Sequence, residues 1–332
     1  MKDLLPEGHV PFLFPKTLDN TILSTWCTCK RKAFFAHLLH LHPKNLSIHL
    51  KAGAAYAAAL EAFRVAYWDA SLPTFKDQEA SMLVAFRALL VEYGYENDEQ
   101  VAFEDSTNKG CWRMAEALVR HFQGQFIPTS DAVRPWLVDG KPAVEYSFSM
   151  EFPIQNPDTM EPILYHGRFD MIAEFQGGHF AYDDKTTSQL GVTWMNQWDT
   201  RSQFTGYCAG SRQQGLKLDG VIVRGHCFLK GDVKFAECIS HRKDWQLDEW
   251  EDNAHEATRM FIAYYERAKA ALEAGEDKFF LYRLFPAEGK FNGACDSYSG
   301  CPFKELCLAQ HPQRYLDRYR IRVWDPTNPG DD

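Results

Sequence analysis

ILYHGRFDMIAEFQGGHFAYDDKTT, residues 163–187, is written as a β-hairpin. Ile163 to Phe175 is rich in strand-forming residues, Gln176-Gly177-Gly178 is a turn signal, and His179 to Thr187 returns. A two-residue loop at Gln176-Gly177 pairs residue 175 with 178 and, further down the ladder, Asp170 with Asp183. Side chains alternate along a strand, so Asp183 and Lys185 share one face while Asp184 points to the other. Two acids and one amine therefore gather on a single face. Such a set suits a divalent cation held beside a cleavable phosphate.

Outward from the hairpin, the pattern changes with distance. Upstream, Val144, Tyr146, Phe148 and Met150 alternate with Glu145, Ser147, Ser149 and Glu151, which predicts a half-buried strand. Before that the period is helical. Leu23 to His40 reads as a helix, as do Lys51 to Trp68, Lys76 to Tyr93 and Gly110 to Gln123. In the second of these, Ala52, Ala55, Tyr56, Ala59, Leu60 and Phe63 form one apolar face. Downstream, a helix is expected over Asn196 to Gln214, strands over Val221 to Leu229 and Val233 to Ser240, and a long helix over Asp248 to Ala274. A cysteine-bearing loop and a short basic helix close the chain. This order predicts an α/β core with a central mixed sheet flanked by helices. The expected division is a helical region over 1–140, the core over 141–245, and a C-terminal segment over 246–332.

Composition narrows the class. With 332 residues, 45% hydrophobic and 14% aromatic, the chain buries a sizeable core and is not a disordered polymer. No apolar run reaches the roughly 20 residues of a membrane span, and MKDLLPEGHVPFLF has no secretory pattern. The expectation is a soluble, cytoplasmic protein without a membrane partner. A net charge of -9 argues against indiscriminate coating of nucleic acid, yet a local basic groove and bound cations would still permit phosphate contact. Lys30-Arg31-Lys32 is one basic run. The tail HPQRYLDRYRIRVW interleaves Arg314, Arg318, Arg320 and Arg322 with Tyr315, Tyr319 and Trp324; it reads equally as a base-stacking track or a solvated helix face. Nine cysteines do not make a disulfide framework, and clustered cysteines in a reducing compartment bind metal. Cys111, Cys208, Cys227 and Cys238 are scattered through apparent helices and strands and are assigned to packing.

Three motifs in order carry a resemblance. Gly167-Arg168-Phe169-Asp170, then Asp183-Asp184-Lys185, then Gln203-Phe204-Thr205-Gly206-Tyr207 resemble the G-x-x-D, D-x-K and Q-x-x-x-Y elements of the RecB-type branch of the PD-(D/E)XK nuclease superfamily. Gln203 and Tyr207, four apart, fall on one helix face. The resemblance implies a restriction-endonuclease-like core and a metal-dependent DNA nuclease, an exonuclease acting on single-stranded or flapped ends. Recombination, repair, CRISPR adaptation and phage DNA metabolism are its implied settings, with partner proteins of a recombination or repair complex. A catalytically inactive DNA-binding or assembly protein that keeps the fold is the alternative. Asp170 and Asp183 would ligate Mg²⁺ or Mn²⁺, with the backbone carbonyl of Asp184 as a further oxygen. Lys185 would position the attacking water or stabilise the transition state, and Gln203 and Tyr207 would orient substrate or the lysine. Glu145 is a possible further acid or a surface strand residue. His166 reads as a packed strand histidine or a nearby polar group. One position departs from the family: its histidine, four residues after a helical glycine, is replaced by Ala57 after Gly53, and Glu61 one turn on is the candidate substitute ligand.

The cysteines extend the resemblance. Cys295, Cys301 and Cys307 form C-x5-C-x5-C, and an iron–sulfur branch of the same superfamily joins three such cysteines to one near the N-terminus. Cys29, followed by Lys30-Arg31-Lys32 and aromatics, matches that N-terminal element better than Cys27. The first C-terminal gap is wider here than the family's usual spacing. The implied group is a [4Fe–4S] cluster stapling the chain ends, with structural Zn²⁺ on the same ligands as the alternative. The C-x3-C-x2-C spacing of radical enzymes is missing.

Overall fold

The computed structural model describes residues 12–44, 48–95, 109–297 and 300–328, with the side chains of residues 49 and 278 left aside. The reading of the first eleven residues as lacking a secretory pattern lies outside the described residues. In chain order the principal strands are β1 (Thr17–Leu18), β2 (Leu41–Pro43), β3 (Val144–Gln155), β4 (Pro162–Phe175), β5 (Gly178–Thr187), β6 (Gly220–Phe228), β7 (Val233–His241) and β8 (Tyr319–Ile321). The main helices are α1 (Asn20–Thr28), α2 (Ile48–Trp68), α3 (Gln78–Tyr93), α4 (Cys111–Arg120), α5 (Ser202–Gln213) and α6 (Asp244–Glu273). The chain folds into two compact units that are not consecutive in sequence. One comprises residues 46–148 and 168–247; the other takes the stretch up to residue 45, residues 149–167 and residues from 248 onward.

The first of these units holds the sheet. β4 pairs antiparallel with β5, β5 parallel with β6, and β6 antiparallel with β7, so the sheet is mixed. The hairpin register runs from Phe175 opposite Gly178 to Met171 opposite Tyr182, as the two-residue loop predicts. Gln176 and Gly177 both have positive φ, 50° and 81°. That is the type I′ geometry whose twist matches the flanking strands. β6 is buried at every residue, as expected of a strand flanked by strands and covered on both faces.

Helices cover both faces of this sheet. The predicted face of α2, from Ala52 to Phe63, is buried in one cluster with α3, α4, Phe228 and Val233. Asp77 caps α3 by accepting from the Ala80 N–H at 3.0 Å. α2 lies on the side to which Tyr182 and Asp184 point, since Arg64 bonds both. Lys185, one residue on, points to the other side and sits 5.8 Å from the Phe204 ring centroid of α5. The alternation of the strand therefore assigns one helix to each face.

In the second unit, β1 runs parallel to the start of β4, and β2 pairs antiparallel with β8. Trp26 stacks on Phe261 of α6, and Phe34 on Phe285. Two expectations fail here. The helix expected over Leu23 to His40 is broken: Cys29 is extended, and a π-helical turn over Phe34–Leu38 ends the segment. Tertiary acceptors have taken the backbone donors, because the Lys30 N–H bonds the Glu288 carboxylate at 3.0 Å and the Arg31 N–H bonds Pro286 O at 3.1 Å. The basic tail is not a simple helix either. It is a 3₁₀ segment, Pro312–Arg318, followed by β8, whose ladder to β2 competes successfully with helical hydrogen bonds. No helix among the described residues is long and apolar enough to cross a membrane.

Candidate active site

At the last registered pair of the hairpin, the ladder gives way to side-chain chemistry. Asp170 follows as the next residue of β4, and its carboxylate accepts the Asp184 N–H at 2.8 Å. Asp183 is only 2% exposed, and its Oδ2 lies 2.6 Å from Lys185 Nζ. Lys185 is 33% exposed, so the site opens on the lysine side. The fold brings Asp170, Asp183 and Lys185 together, although the paired ladder stops at Met171–Tyr182, one pair short of the predicted Asp170–Asp183 pairing.

The electrostatics of this trio are those of a cation-seeking site. Burial, and then the Asp183 charge beside it, holds the Asp170 carboxyl well above the usual range. Burial also raises Asp183, despite the pull of Lys185. For Lys185, burial works against the charged form, but Asp183 and Asp170 outweigh it and keep the amine protonated. Two carboxylates face one ammonium, which leaves uncompensated negative charge in an oxygen-donor setting. That chemistry fits a hard divalent cation. Among the described residues, no group of three or more His, Cys, Asp or Glu side chains is already arranged as a metal-binding set.

The flanking candidates have partners of their own. Gln203 Nε2 donates to the Tyr207 hydroxyl at 2.7 Å, so the helix pair forms one polar unit. The Tyr207 ring meets Phe169 edge-on at 4.8 Å, which ties α5 to β4 beside Asp170. Glu61 lies in the field of Arg168 and Arg64, and burial raises its pKa against both. Glu145 pairs with Arg168 at 2.7 Å and has φ 49°, a strained value for a non-glycine residue. Burial is the main cause that raises the Glu145 carboxyl to about 7, and neighbouring Glu61 adds to it. At Gly53 an added Cβ would stand 3.4 Å from Thr186 Oγ1, an ordinary contact, so α2 passes beside the end of β5 there. His166 bonds Ser149 Oγ at 2.9 Å through Nδ1 and is a packed strand histidine.

Sequence reasoning missed what lies behind Asp184. Its carboxylate is 4% exposed and points away from the trio. There it meets Arg64 Nη2 at 2.6 Å, the Tyr182 hydroxyl at 2.8 Å and His226 Nε2 at 2.8 Å. Tyr56 closes the shell with a hydroxyl 3.1 Å from His226 Nδ1. Burial opposes the Asp184 charge, yet Arg64 and the His226 hydrogen bond hold the carboxyl far below its ordinary range. A charged residue at the middle of D-x-K was the available signal, since a buried acid requires partners.

In the other unit, Cys29, Cys295, Cys301 and Cys307 line one cavity of about 330 Å³. Cys27 is exposed and is not among its walls. Lys32, Lys290 and Lys304 share the lining, and Arg31 points its Nη1 at Cys307 Sγ from 3.9 Å. Arg31 Nε also donates to Phe285 O at 2.6 Å, which fixes the guanidinium. Burial raises the Cys301 and Cys307 thiols, and among the described residues no three of these side chains are arranged as a metal-binding group. Of the cysteines assigned to packing, Cys111, Cys208 and Cys227 are buried and Cys238 is partly so.

Comparison with known proteins gives a broad family match. Residues 20–308 match the sequence model of a family described as the PD-(D/E)XK nuclease superfamily. No curated protein matches the chain. A solved structure titled "Crystal structure of SSO0001" is 11% identical, with 87% of this chain and 95% of that chain covered. Its TM-score is 0.31, a similarity too slight to bear on function.

Proposed function

The chain belongs to the PD-(D/E)XK nuclease superfamily, and from that membership we propose a metal-dependent deoxyribonuclease that acts as an exonuclease on single-stranded or flapped DNA ends. The mixed sheet flanked by helices agrees with a restriction-endonuclease-like fold, and the family implies phosphodiester hydrolysis with DNA as substrate. One observation carries the reading: Asp170, Asp183 and Lys185 converge at the end of the hairpin, with the acids in need of a cation.

In this account Asp170 and Asp183 hold Mg²⁺ or Mn²⁺, with the Asp184 carbonyl and Glu61 as further donors. When bound, the metal supplies a water of lowered pKa and screens charge on the phosphate. The protein does the rest. Lys185, kept charged by its acidic neighbours, stabilises negative charge developing on the phosphoryl oxygens. Gln203 and Tyr207, linked to one another, orient the lysine side of the site. Cys29, Cys295, Cys301 and Cys307 hold a [4Fe–4S] cluster that staples the N-terminal segment to the C-terminal one. Their shared cavity and its cationic walls support that role.

Substrate choice is tested with end-labelled single-stranded, duplex, flapped and covalently closed circular DNA in Mn²⁺. The expected result is loss of label from single-stranded and flapped ends with the circle intact. Nicking of the circle would refute the exonuclease assignment. Glu61→Ala is expected to raise the Mn²⁺ concentration needed for half-maximal rate; an unchanged requirement removes Glu61 from the ligand set.

A further inference from the structure

Asp184 links its buried side chain to the acidic trio through its own backbone. On the reverse face, its two carboxylate oxygens are held by Arg64, Tyr182 and His226 at 2.6–2.8 Å. On the front face, its N–H donates to the Asp170 carboxylate at 2.8 Å. The donors have one consistent assignment. Burial keeps His226 neutral, so Nε2–H donates to Asp184 and Nδ1 accepts from Tyr56. Arg64 Nη2 also reaches the Tyr182 hydroxyl at 3.1 Å, which ties α2 to β5 at two points.

We propose that Asp184 is a positioning residue, whose carboxylate, clamped by Arg64, Tyr182 and His226, fixes the peptide that orients Asp170 and spaces Asp183 from Lys185. The proposal rests on the reading of that trio as a metal-dependent nuclease site. Stability alone does not account for the arrangement. Taking an arginine and an aspartate out of water carries a penalty that their attraction often only offsets, and replacing both partners of such a pair with apolar residues is often neutral. What the clamp adds is direction. Three donors on two oxygens anchor the Asp184 side chain, and with it the peptide whose N–H meets Asp170. Arg64 extends the effect to α2, where Glu61 lies one turn earlier on the same face.

The test is Mn²⁺ binding, read from the free-ion electron paramagnetic resonance signal, together with kcat and KM on a labelled oligonucleotide. Asp183→Ala serves as the loss-of-site control. Asp184→Asn keeps the shape and removes the charge; its folding is checked by circular dichroism. The folded variant is expected to bind Mn²⁺ roughly 10–100-fold more weakly and to lose a similar factor in kcat, the usual cost of removing an outer-shell partner. KM for the oligonucleotide stays within a few-fold. Wild-type Mn²⁺ affinity in folded Asp184→Asn overturns the proposal, as does a wild-type protein that shows no Asp183-dependent Mn²⁺ binding. Should Asp184→Asn fail to fold, Arg64→Lys, which keeps the charge and removes the guanidinium Nη2 shared by Asp184 and Tyr182, decides on the same readings. A wild-type protein that binds Mn²⁺ through Asp183 yet cuts no nucleic acid sinks the nuclease reading alone, and the affinity comparison still judges the clamp.

Discussion

Asp170 and Asp183 hold their protons more tightly in the fold than in the unfolded chain, because burial disfavours both charges. The sign of the pH effect follows. Folding takes up protons at these sites, so their charge costs stability above the ordinary carboxylate range, and the cost fades as pH falls through the raised values. Asp184 runs the other way. Its lowered carboxyl contributes stability that is fully present at neutral pH and is lost only in strong acid. Asp170→Asn should therefore raise the metal-free thermal midpoint at pH 7.5 by roughly 2–4 °C, the response of a large domain to about 1 kcal/mol. It should also abolish cleavage. A lowered midpoint in calorimetry would contradict the electrostatic account. Stability traded for function is the expected signature of a site built to hold a cation.

At the level of elements, the hairpin is the decisive piece, and its turn is its most exposed dependency. Gly177 has φ 81°, and a β-branched side chain there meets its own backbone. Gly177→Val should cost about 1–2 kcal/mol in chemical denaturation; unchanged stability would mean the turn does not set the register. This hairpin was legible because both of its determinants are local, the turn residues and the alternation. So was the α2 face, whose repeat is an intrinsic helix property. The break at Cys29 was not legible, since the competing acceptors, Glu288 and Pro286, come from about 255 residues later. The Asp184 clamp was half legible. Alternation told which way the side chain points, but Arg64 and His226 reach it from separate elements. The tail was misread because its strand partner, β2, is equally remote.

For the molecule as a whole, long-range ties recur. Arg31 anchors the N-terminal segment to Phe285 O, and four cysteines from both ends of the sequence line one cavity. If they hold a cluster, anaerobic preparations should be brown, contain iron and absorb near ~400 nm as thiolate-bound clusters do. Cys301→Ser should then bleach the colour and lower the thermal midpoint. A colourless wild-type protein with stoichiometric zinc would replace iron with zinc on the same ligands. Neither result touches the catalytic claim, because the acidic trio and the cysteines belong to different units of the fold.

That claim is tested most directly by one comparison: Mn²⁺-dependent release of label from single-stranded DNA by the wild-type protein and by Lys185→Ala. Lys185 is the one ammonium in contact with the Asp183 carboxylate among the described residues. The wild-type protein is expected to cleave, and folded Lys185→Ala to do so roughly 10²–10³-fold more slowly. Equal rates for the two proteins, or no cleavage by either, would contradict that claim.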